Sequence, residues 1–310
     1  MALMDAQNPI EVFDRQSVRH HRDRAAATIG EHAFLLDAVA AQLAERLDEI
    51  NRTFPVALNL GCHTGQLHHH LQGCGGIQTL IHSDLSPRMA AYTEKQTSSP
   101  TLVADEEWLP FADHSLDLVI SCLYLHWIND LPGTLTQIRR ALKPDGLFLA
   151  ALFGGDTLKE LRQALSESEL SNEGGMSPRV SPFVDVRDAG DLLQRTGFTL
   201  PLADLDTLTV SYPDAFKLMA DLRGMGETNA VAERRKSYSQ RTTIMNAAQR
   251  YHELFADDED RIPATFQIIS LTAWTPHPDQ QQALKPGSAT SRLAKALDAD
   301  EIAAGEKAKP

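Results

Sequence analysis

The 310-residue chain is short of cysteine, of positive charge and of long apolar runs. Its three cysteines, Cys62, Cys74 and Cys122, are too few and too scattered for a disulfide framework or a CxxC zinc site, and they favour a reducing compartment. The formal net charge of -13 argues against a nucleic-acid backbone as the main partner. No apolar run is long enough to span a bilayer. The acidic start "MALMDAQNPIEVF" lacks a signal pattern, so we expect a cytoplasmic, bacterial protein.

What the chain does contain is enough apolar sequence, 42% of its residues, for a sizeable core. Short apolar runs such as "VALNL", "IQTLIHSDLS", "LDLVISC" and "LFLAALFG" alternate with helical patterns over the first half. Strands and helices that alternate at this spacing predict an α/β fold with a parallel, doubly wound sheet. The second half is less regular, with a Gly/Pro-rich loop at 172–182 and an extra helical region at 213–255.

These patterns predict the following organisation: an N-terminal helical arm at 1–52, a cofactor-binding core at 53–155, a continuation of the same domain at 156–285 with a lid loop and the helical insertion, and a mobile tail at 286–310.

The stretch "ALNLGCHTGQLHHHL", residues 57–71, joins a predicted strand to a helix through a glycine turn. Such a turn lets a ligand approach the backbone, although alone it is a weak signal. Asp84 ends the next strand, where a carboxylate can accept both ribose hydroxyls, and Asp105 ends a third. Taken alone, each acid also has an ordinary structural explanation: Asp84 can be an aspartate that precedes a helix near its N-cap, and Asp105 can be a carboxylate in a surface turn. Their conjunction with the glycine turn favours a ligand site.

At these residues the sequence resembles the class I S-adenosylmethionine-dependent methyltransferases. Their turn reads hydrophobic–acid–hydrophobic–Gly–x–Gly–x–Gly, and here the stretch 59–65 reads "NLGCHTG". The resemblance implies a Rossmann-like fold, with a mostly parallel seven-stranded sheet and an antiparallel last strand. It also implies S-adenosyl-L-methionine as cofactor, with Asp84 on the ribose and Asp105 on the adenine. The cofactor-binding set carried over is Asn59, Gly61, Cys62, His63, Gly65, Asp84, Leu85, Asp105, Glu106 and Ser121.

Two positions depart from this pattern. Asn59 stands where an acid is usual, and an amide lacks the charge that attracts an ammonium group. His63 stands in place of the central glycine, where a side chain can crowd the cofactor. We therefore expect a retained but weakened cofactor site, with a use that need not be ordinary methyl transfer.

A closer resemblance covers nearly the whole chain. Segments such as "VFDRQSVRHHRDRAA", "EGGMSPRVSPFVDVRDAGDLLQRTGF" and "YPDAFKLMADLRGMGETNA" are similar to the arginine-hydroxylase complex I assembly factors of mitochondria and their α-proteobacterial relatives. This resemblance implies a protein partner, an Fe–S-bearing complex I subunit whose arginine is hydroxylated. From charge and apolar pattern we expect no nucleic-acid partner and no transmembrane segment, and we expect transient association at the membrane periphery. The biotin-pathway malonyl-carrier-protein methyltransferases resemble the chain more distantly, through the core motifs.

Candidates on the substrate side follow the fourth strand and the fifth. His126 and Trp127 come soon after the predicted fourth strand, "LDLVISC", although a tryptophan at a strand end often belongs simply to the hydrophobic core. Asp156 lies in the "FGGDT" turn, with a helix N-cap as the alternative interpretation. No catalytic base is identified.

The histidines do not predict a metal site. His68, His69 and His70 are consecutive on a helix and diverge, which favours a solvated face. His82 and Asp84 have the HxD spacing of an iron site, but a third ligand is not identifiable.

Three functions therefore stay open. The first is an enzyme of the arginine-hydroxylase type. The second is a methyltransferase of a small molecule or an acyl-carrier carboxylate, and the third is a non-catalytic assembly chaperone. The acids at 84 and 105 favour the first two over the third, and the resemblance of the second half favours the first over the second.

Overall fold

The structure is a computed structural model that describes residues 11–280, 288, 291 and 293–300. Within these residues the chain divides after Pro276 into two compact units. The strands are β1 (Val56–Leu60), β2 (Thr79–Asp84), β3 (Thr101–Val103), β4 (Leu116–Cys122), β5 (Leu142–Phe153), β6 (Thr199–Tyr212) and β7 (Ile262–Trp274). The helices are α1 (Arg15–Ala25), α2 (Phe34–Asp48), α3 (Gln66–His70), α4 (Pro87–Thr97), α5 (Leu131–Ala141), α6 (Lys159–Glu173), α7 (Val186–Arg195), α8 (Ala215–Met225), α9 (Arg241–Phe255) and α10 (Leu293–Ala296).

The seven strands form one sheet in the order β3-β2-β1-β4-β5-β7-β6. Strands β1 to β5 pair in parallel, whereas β7 runs antiparallel to both β5 and β6. The predicted sheet, mostly parallel with an antiparallel last strand, is confirmed. The chain reverses its winding direction between β1 and β4, so the carboxyl ends of these strands flank a crevice of the kind that binds ligands in doubly wound folds.

Helix α1 is the part of the N-terminal arm that contacts the predicted cofactor site. Asp14 caps it by accepting a hydrogen bond from the Ser17 backbone N–H. Its buried positions are Val18, Arg22 and Ala25, which share one helical face. An arginine in the buried stripe of a helix needs partners inside the fold, because a buried charge is costly unless it is paired.

The predicted helical insertion between the last two strands is confirmed as α8 and α9. Gly226 ends α8 in the left-handed conformation (φ 86°) that favours glycine, and Glu227 follows it directly. Among the described residues, no helix combines the length and the apolar character that crossing a membrane requires.

Two local predictions need correction. Asp156 is not an N-cap, because α6 begins at Lys159 with Leu158 in the capping position. The loop predicted from 172 begins later, since α6 continues to Glu173 and ends at Gly174. Most of the predicted tail at 286–310 lies outside the described residues.

Candidate cofactor site and substrate pocket

The glycine turn after β1 is covered by an aromatic ring. Gly61 has a φ of 73°, and its backbone N–H and that of Cys62 both donate to the Ser83 carbonyl at 2.9 Å. A Cβ atom on Gly61 would lie 2.1 Å from Cγ of Tyr124. Only glycine therefore fits this position. Burial raises the pKa of Tyr124, so its hydroxyl stays protonated.

His63 is a fixed, neutral part of the turn. Its φ of 51° is left-handed, as suits a position where related turns carry glycine. Its Nδ1 lies 3.1 Å from Nη2 of Arg22, and its Nε2 lies 2.9 Å from the Cys122 carbonyl. Burial and the charge of Arg22 lower the pKa of His63 to about 3. Since arginine only donates, Nδ1 accepts and the proton sits on Nε2.

Asp84, the predicted ribose ligand, has all its acceptor positions in use. Its Oδ1 accepts from Nε of Arg22 at 3.2 Å and from the Ser86 N–H at 2.8 Å. Its Oδ2 accepts from Nη2 of Arg22 at 2.7 Å and from the His63 N–H at 3.0 Å. A carboxylate offers about four lone-pair sites. In this arrangement Asp84 has no free lone pair for a ribose hydroxyl, and the guanidinium of Arg22 lies against both of its oxygens.

The second pair of predicted acids meets the other arginine of α1. Nη2 of Arg15 lies 2.7 Å from Asp105 Oδ1 and 2.6 Å from Glu106 Oε2, and its Nη1 donates to the Trp127 carbonyl at 3.2 Å. Burial raises the pKa of Glu106 to about 7, against the opposing effect of Arg15. Arg15 and Arg22 lie seven positions apart, on one face of α1. Helix α1 therefore lies across the predicted cofactor carboxylates.

The chemistry of this region nevertheless fits an adenosine ligand. Among the buried polar atoms that have no hydrogen-bond partner within the described part of the chain, four belong to the two arginines of α1 and the groups that they face: Arg15 Nε, Arg22 Nη1, Glu106 Oε1 and Tyr124 Oη. Buried polar groups without partners mark a place where a polar ligand or water belongs. With the glycine turn and the acids at two strand ends, they fit the predicted S-adenosylmethionine.

The other predicted cofactor residues surround the same turn. Asn59 faces β2, with Nδ2 3.1 Å from His82 Nδ1 and with Oδ1 unpartnered in the described chain. Ser121 donates to the Leu60 carbonyl at 2.8 Å, so it links β4 to β1. Cys62 and Gly65 belong to the same turn: burial raises the pKa of the Cys62 thiol, and Gly65, at a φ of 92°, directly precedes α3. Leu85 follows β2 and packs near Phe13.

On the substrate side, a cavity of about 460 Å³ lies beside Trp127. Its walls are mainly apolar and include five aromatic side chains: Trp127, Phe153, Phe183, Phe216 and Phe266. Asp156, predicted on this side, is exposed and is not among the residues that line the cavity, although the next residue, Thr157, is. His126 lies behind the wall, with its ring centroid 4.7 Å from that of Phe153.

The one acidic side chain among the described residues that line this cavity is Glu227. Its Oε2 accepts hydrogen bonds from Nε2 of His126 at 3.0 Å and from Nε1 of Trp127 at 3.1 Å. Burial alone would raise the pKa of Glu227, but His126 and Arg22 outweigh it and the pKa is lowered. The cavity therefore contains an ionised carboxylate with an 8% exposed side chain.

Four residues that shape the site, Arg15, Arg22, Tyr124 and Glu227, were not assigned a role from the sequence. The available signals were the spacing of the two arginines in α1 and an acid that follows a helix-ending glycine. In the part of the chain that is described, no group of three His, Cys, Asp or Glu residues could hold a metal ion. His82 instead lies 3.2 Å from His68, Nε2 to Nδ1.

Comparisons with known proteins agree with this geometry. A family model described as "Methyltransferase domain" matches residues 58–150. The zebrafish (Danio rerio) protein "Arginine-hydroxylase NDUFAF5, mitochondrial" is 40% identical over 92% of this chain and 89% of its own length. The "Malonyl-[acyl-carrier protein] O-methyltransferase" of Xylella fastidiosa is 34% identical over 86% of this chain and 89% of its own.

A solved structure has the same fold at lower identity. The phosphoethanolamine N-methyltransferase 2 of Haemonchus contortus, in complex with S-adenosyl-L-methionine, is 18% identical, with a TM-score of 0.51 over 84% of this chain and 60% of that one. The fold predicted from the alternation of strands and helices and from the glycine turn is thereby confirmed.

Proposed function

From the premise that the chain belongs to the NDUFAF5 arginine-hydroxylase family, we propose that it is a methyltransferase-like enzyme that hydroxylates an arginine of a respiratory complex I subunit and aids assembly of the complex. The observation that carries this proposal is the higher identity to the arginine hydroxylase, 40% over 92% of the chain, against 34% over 86% for the malonyl-carrier-protein methyltransferase. The expectation that the latter resembles only the core motifs is wrong, since both similarities extend beyond residues 58–150, which the methyltransferase family model matches. The helices that form the substrate pocket belong to the part outside that model.

S-adenosyl-L-methionine is the proposed cofactor, and when bound it supplies a sulfonium-activated methyl group. Asp84 would accept the ribose hydroxyls, and Asp105 with Glu106 would face the adenine. Gly61 and Gly65 would border the methionine part, with Asn59, Cys62, His63, Leu85 and Ser121 around them. For Asp84 to take this role, Arg22 must first withdraw, because the carboxylate already accepts four hydrogen bonds.

The proposed hydroxylation inserts one oxygen atom into a C–H bond of the arginine. With molecular oxygen as oxidant, the balance requires a two-electron donor and two protons, and it yields the hydroxyl group and one water. The contribution that we assign to this chain is binding and orientation. His126 and Trp127 hold the carboxylate of Glu227 at the pocket, and the aromatic walls exclude water from the substrate.

As the partner we propose the Fe–S-bearing subunit of complex I, met at the membrane periphery in the cytoplasm of an α-proteobacterium. The test is intact-peptide mass spectrometry of that subunit from wild-type and gene-deletion cells. We expect one arginine to lose one oxygen atom in the deletion strain, together with a fall in complex I activity. An arginine without added oxygen in wild-type cells contradicts the proposal.

A methyltransferase of an acyl-carrier carboxylate is the second candidate, favoured by the 34% identity to the Xylella fastidiosa enzyme. Its acceptor is an anion, and the ionised Glu227 would oppose the approach of an anion into the pocket. Methylation of a malonyl-carrier protein by the purified chain, with no change in the complex I subunit, would establish this candidate in place of the first.

A further inference from the structure

The pocket beside Trp127 combines apolar walls with one buried charge. An apolar cavity ordinarily suits an apolar ligand, yet this one contains Glu227, whose carboxylate is fixed by two donors. His126 and Trp127 both donate to Oε2 of Glu227. The other carboxylate oxygen, Oε1, is not one of the buried polar atoms without a hydrogen-bond partner. A ligand for such a pocket has a long apolar stem and a cationic tip.

We propose that Glu227 is the specificity-determining residue of this pocket and binds the guanidinium group of the substrate arginine. The inference rests on the proposed function for the existence of an arginine substrate. It adds the place where that arginine binds and the group that distinguishes it from neutral and anionic side chains.

The charges around the pocket support a cationic ligand at Glu227. His126 and Trp127 both donate to Oε2 of Glu227, which stabilises the carboxylate in its ionised form. Arg179, in the pocket wall, is already paired with Glu169 Oε1 through Nε at 3.0 Å. Arg223, the other cation of the lining, is exposed to solvent, which screens its effect.

The walls suit the rest of an arginine side chain. Phe153 and Phe183 pack at a centroid distance of 5.7 Å, and Phe153 also contacts Phe266 at 6.0 Å. Aromatic faces attract a guanidinium and cover the methylene groups behind it. Because Oε2 already accepts two hydrogen bonds, Oε1 is the oxygen that would accept from the guanidinium, whose delocalised charge and several N–H donors distinguish it from a neutral side chain.

The pocket is joined to the predicted cofactor region through a single residue. The side chain of Trp127 donates to Glu227, and its carbonyl accepts from Arg15, which in turn binds Asp105 and Glu106. Trp127 thus connects the proposed arginine site at Glu227 with the proposed cofactor site at Asp105 and Glu106.

The test uses the full chain labelled with ¹⁵N, because its three tryptophans give three indole signals. The signal of Trp127 is assigned with a Trp127→Phe variant, and it reports directly on Glu227. N-acetyl-L-arginine amide is titrated against its neutral isostere, N-acetyl-L-citrulline amide. We expect a saturable shift with the arginine probe and at least about tenfold weaker binding of the citrulline probe. Equal affinities would overturn the proposal.

The matched variants are Glu227→Gln, which removes the charge and keeps the shape, and Glu94→Gln, which removes an exposed acid of α4. Glu227→Gln should lose at least about tenfold in arginine affinity and Glu94→Gln none. If Glu227→Gln does not fold, Phe216→Ala takes its place, since Phe216 lines the pocket but is 45% exposed. Phe216→Ala should weaken arginine binding several-fold, and unchanged affinity in either pocket variant contradicts the proposal.

Failure of this inference and failure of the proposed function are distinguishable. If cells that carry Glu227→Gln still hydroxylate the complex I arginine fully, the pocket assignment is wrong and the function stands. If the purified chain binds the arginine probe through Glu227 but no subunit arginine carries added oxygen in wild-type cells, the pocket stands and the function is wrong.

Discussion

Arg22 of α1 and Asp84 at the end of β2 form an ion pair in which both side chains are fully excluded from solvent. The guanidinium also lies 4.3 Å from the ring centroid of Tyr124, so it is enclosed by a carboxylate, an aromatic face and His63. Removal of one partner from a buried pair leaves the other charge without compensation, which costs far more than the pair contributes as a whole.

We therefore predict that Arg22→Met lowers the free energy of unfolding in the absence of ligand by about 3–5 kcal/mol. Equilibrium urea denaturation measures this change. Arg88→Met, at an exposed position of α4, is the control and should change stability by less than about 0.5 kcal/mol. Equal effects of the two variants would show that Asp84 is solvated or neutral when Arg22 is absent.

The same ion pair predicts an effect on cofactor binding. Because the four acceptor positions of Asp84 are filled, ribose hydroxyls compete with Arg22 for this carboxylate. Arg22→Met should therefore bind S-adenosylhomocysteine at least about tenfold more tightly than the wild type in calorimetry. Weaker binding would instead make Arg22 a ligand of the cofactor. Absence of binding in both proteins would favour the non-catalytic chaperone.

The site residues that could be predicted are those whose position follows from the short stretch of sequence around them. The glycine turn, Asp84 and Asp105 each end or follow a strand whose apolar run is visible in the sequence. Their meeting at one edge follows from the parallel sheet. Expectations about Asn59 and His63 also came from local pattern, although only the fold shows that Asn59 pairs with His82 and that His63 contacts Arg22.

Arg22 and Glu227 could not be found in this way, because their partners are distant in sequence. Arg22 lies 62 positions from Asp84, and Glu227 lies 101 positions from His126. Local periodicity carries no information about which helix packs over which strand end. In α1, moreover, a run of basic residues is typical of a solvated helix, whereas packing buries Arg22 completely.

His63 gives the stability of the fold a dependence on pH. Its pKa is about 3 in the folded chain, below its ordinary value of 6.5, because it is buried beside Arg22. The unfolded chain binds this proton first, so the contribution of His63 is fully present above pH 6.5 and is lost as the pH falls towards 3. In that window one proton changes the free energy of unfolding by about 1.4 kcal/mol per pH unit.

We predict that His63→Asn reduces the slope of unfolding free energy against pH by about that amount between pH 6 and 4. Asparagine tolerates the left-handed backbone at this position, so the comparison isolates the ring. His69→Asn, at an exposed position of α3, is the control and should change the slope less than His63→Asn does. Parallel curves for wild type and His63→Asn would mean that the ring titrates normally in the folded protein.

The contact between Gly61 and Tyr124 leads to the last prediction. Gly61→Ala places a methyl group within 2.1 Å of the Tyr124 ring and requires alanine to adopt a φ of 73°. Overpacking and the left-handed backbone together should cost about 2–4 kcal/mol of stability. In a Tyr124→Ala background only the backbone part remains, so the same substitution should cost about 1–2 kcal/mol.

Gly155→Ala, where nothing lies within 4 Å of the added methyl group, is the control. Urea denaturation of the four proteins of this cycle gives the coupling energy, and a value near zero would mean that Tyr124 moves off the turn without cost.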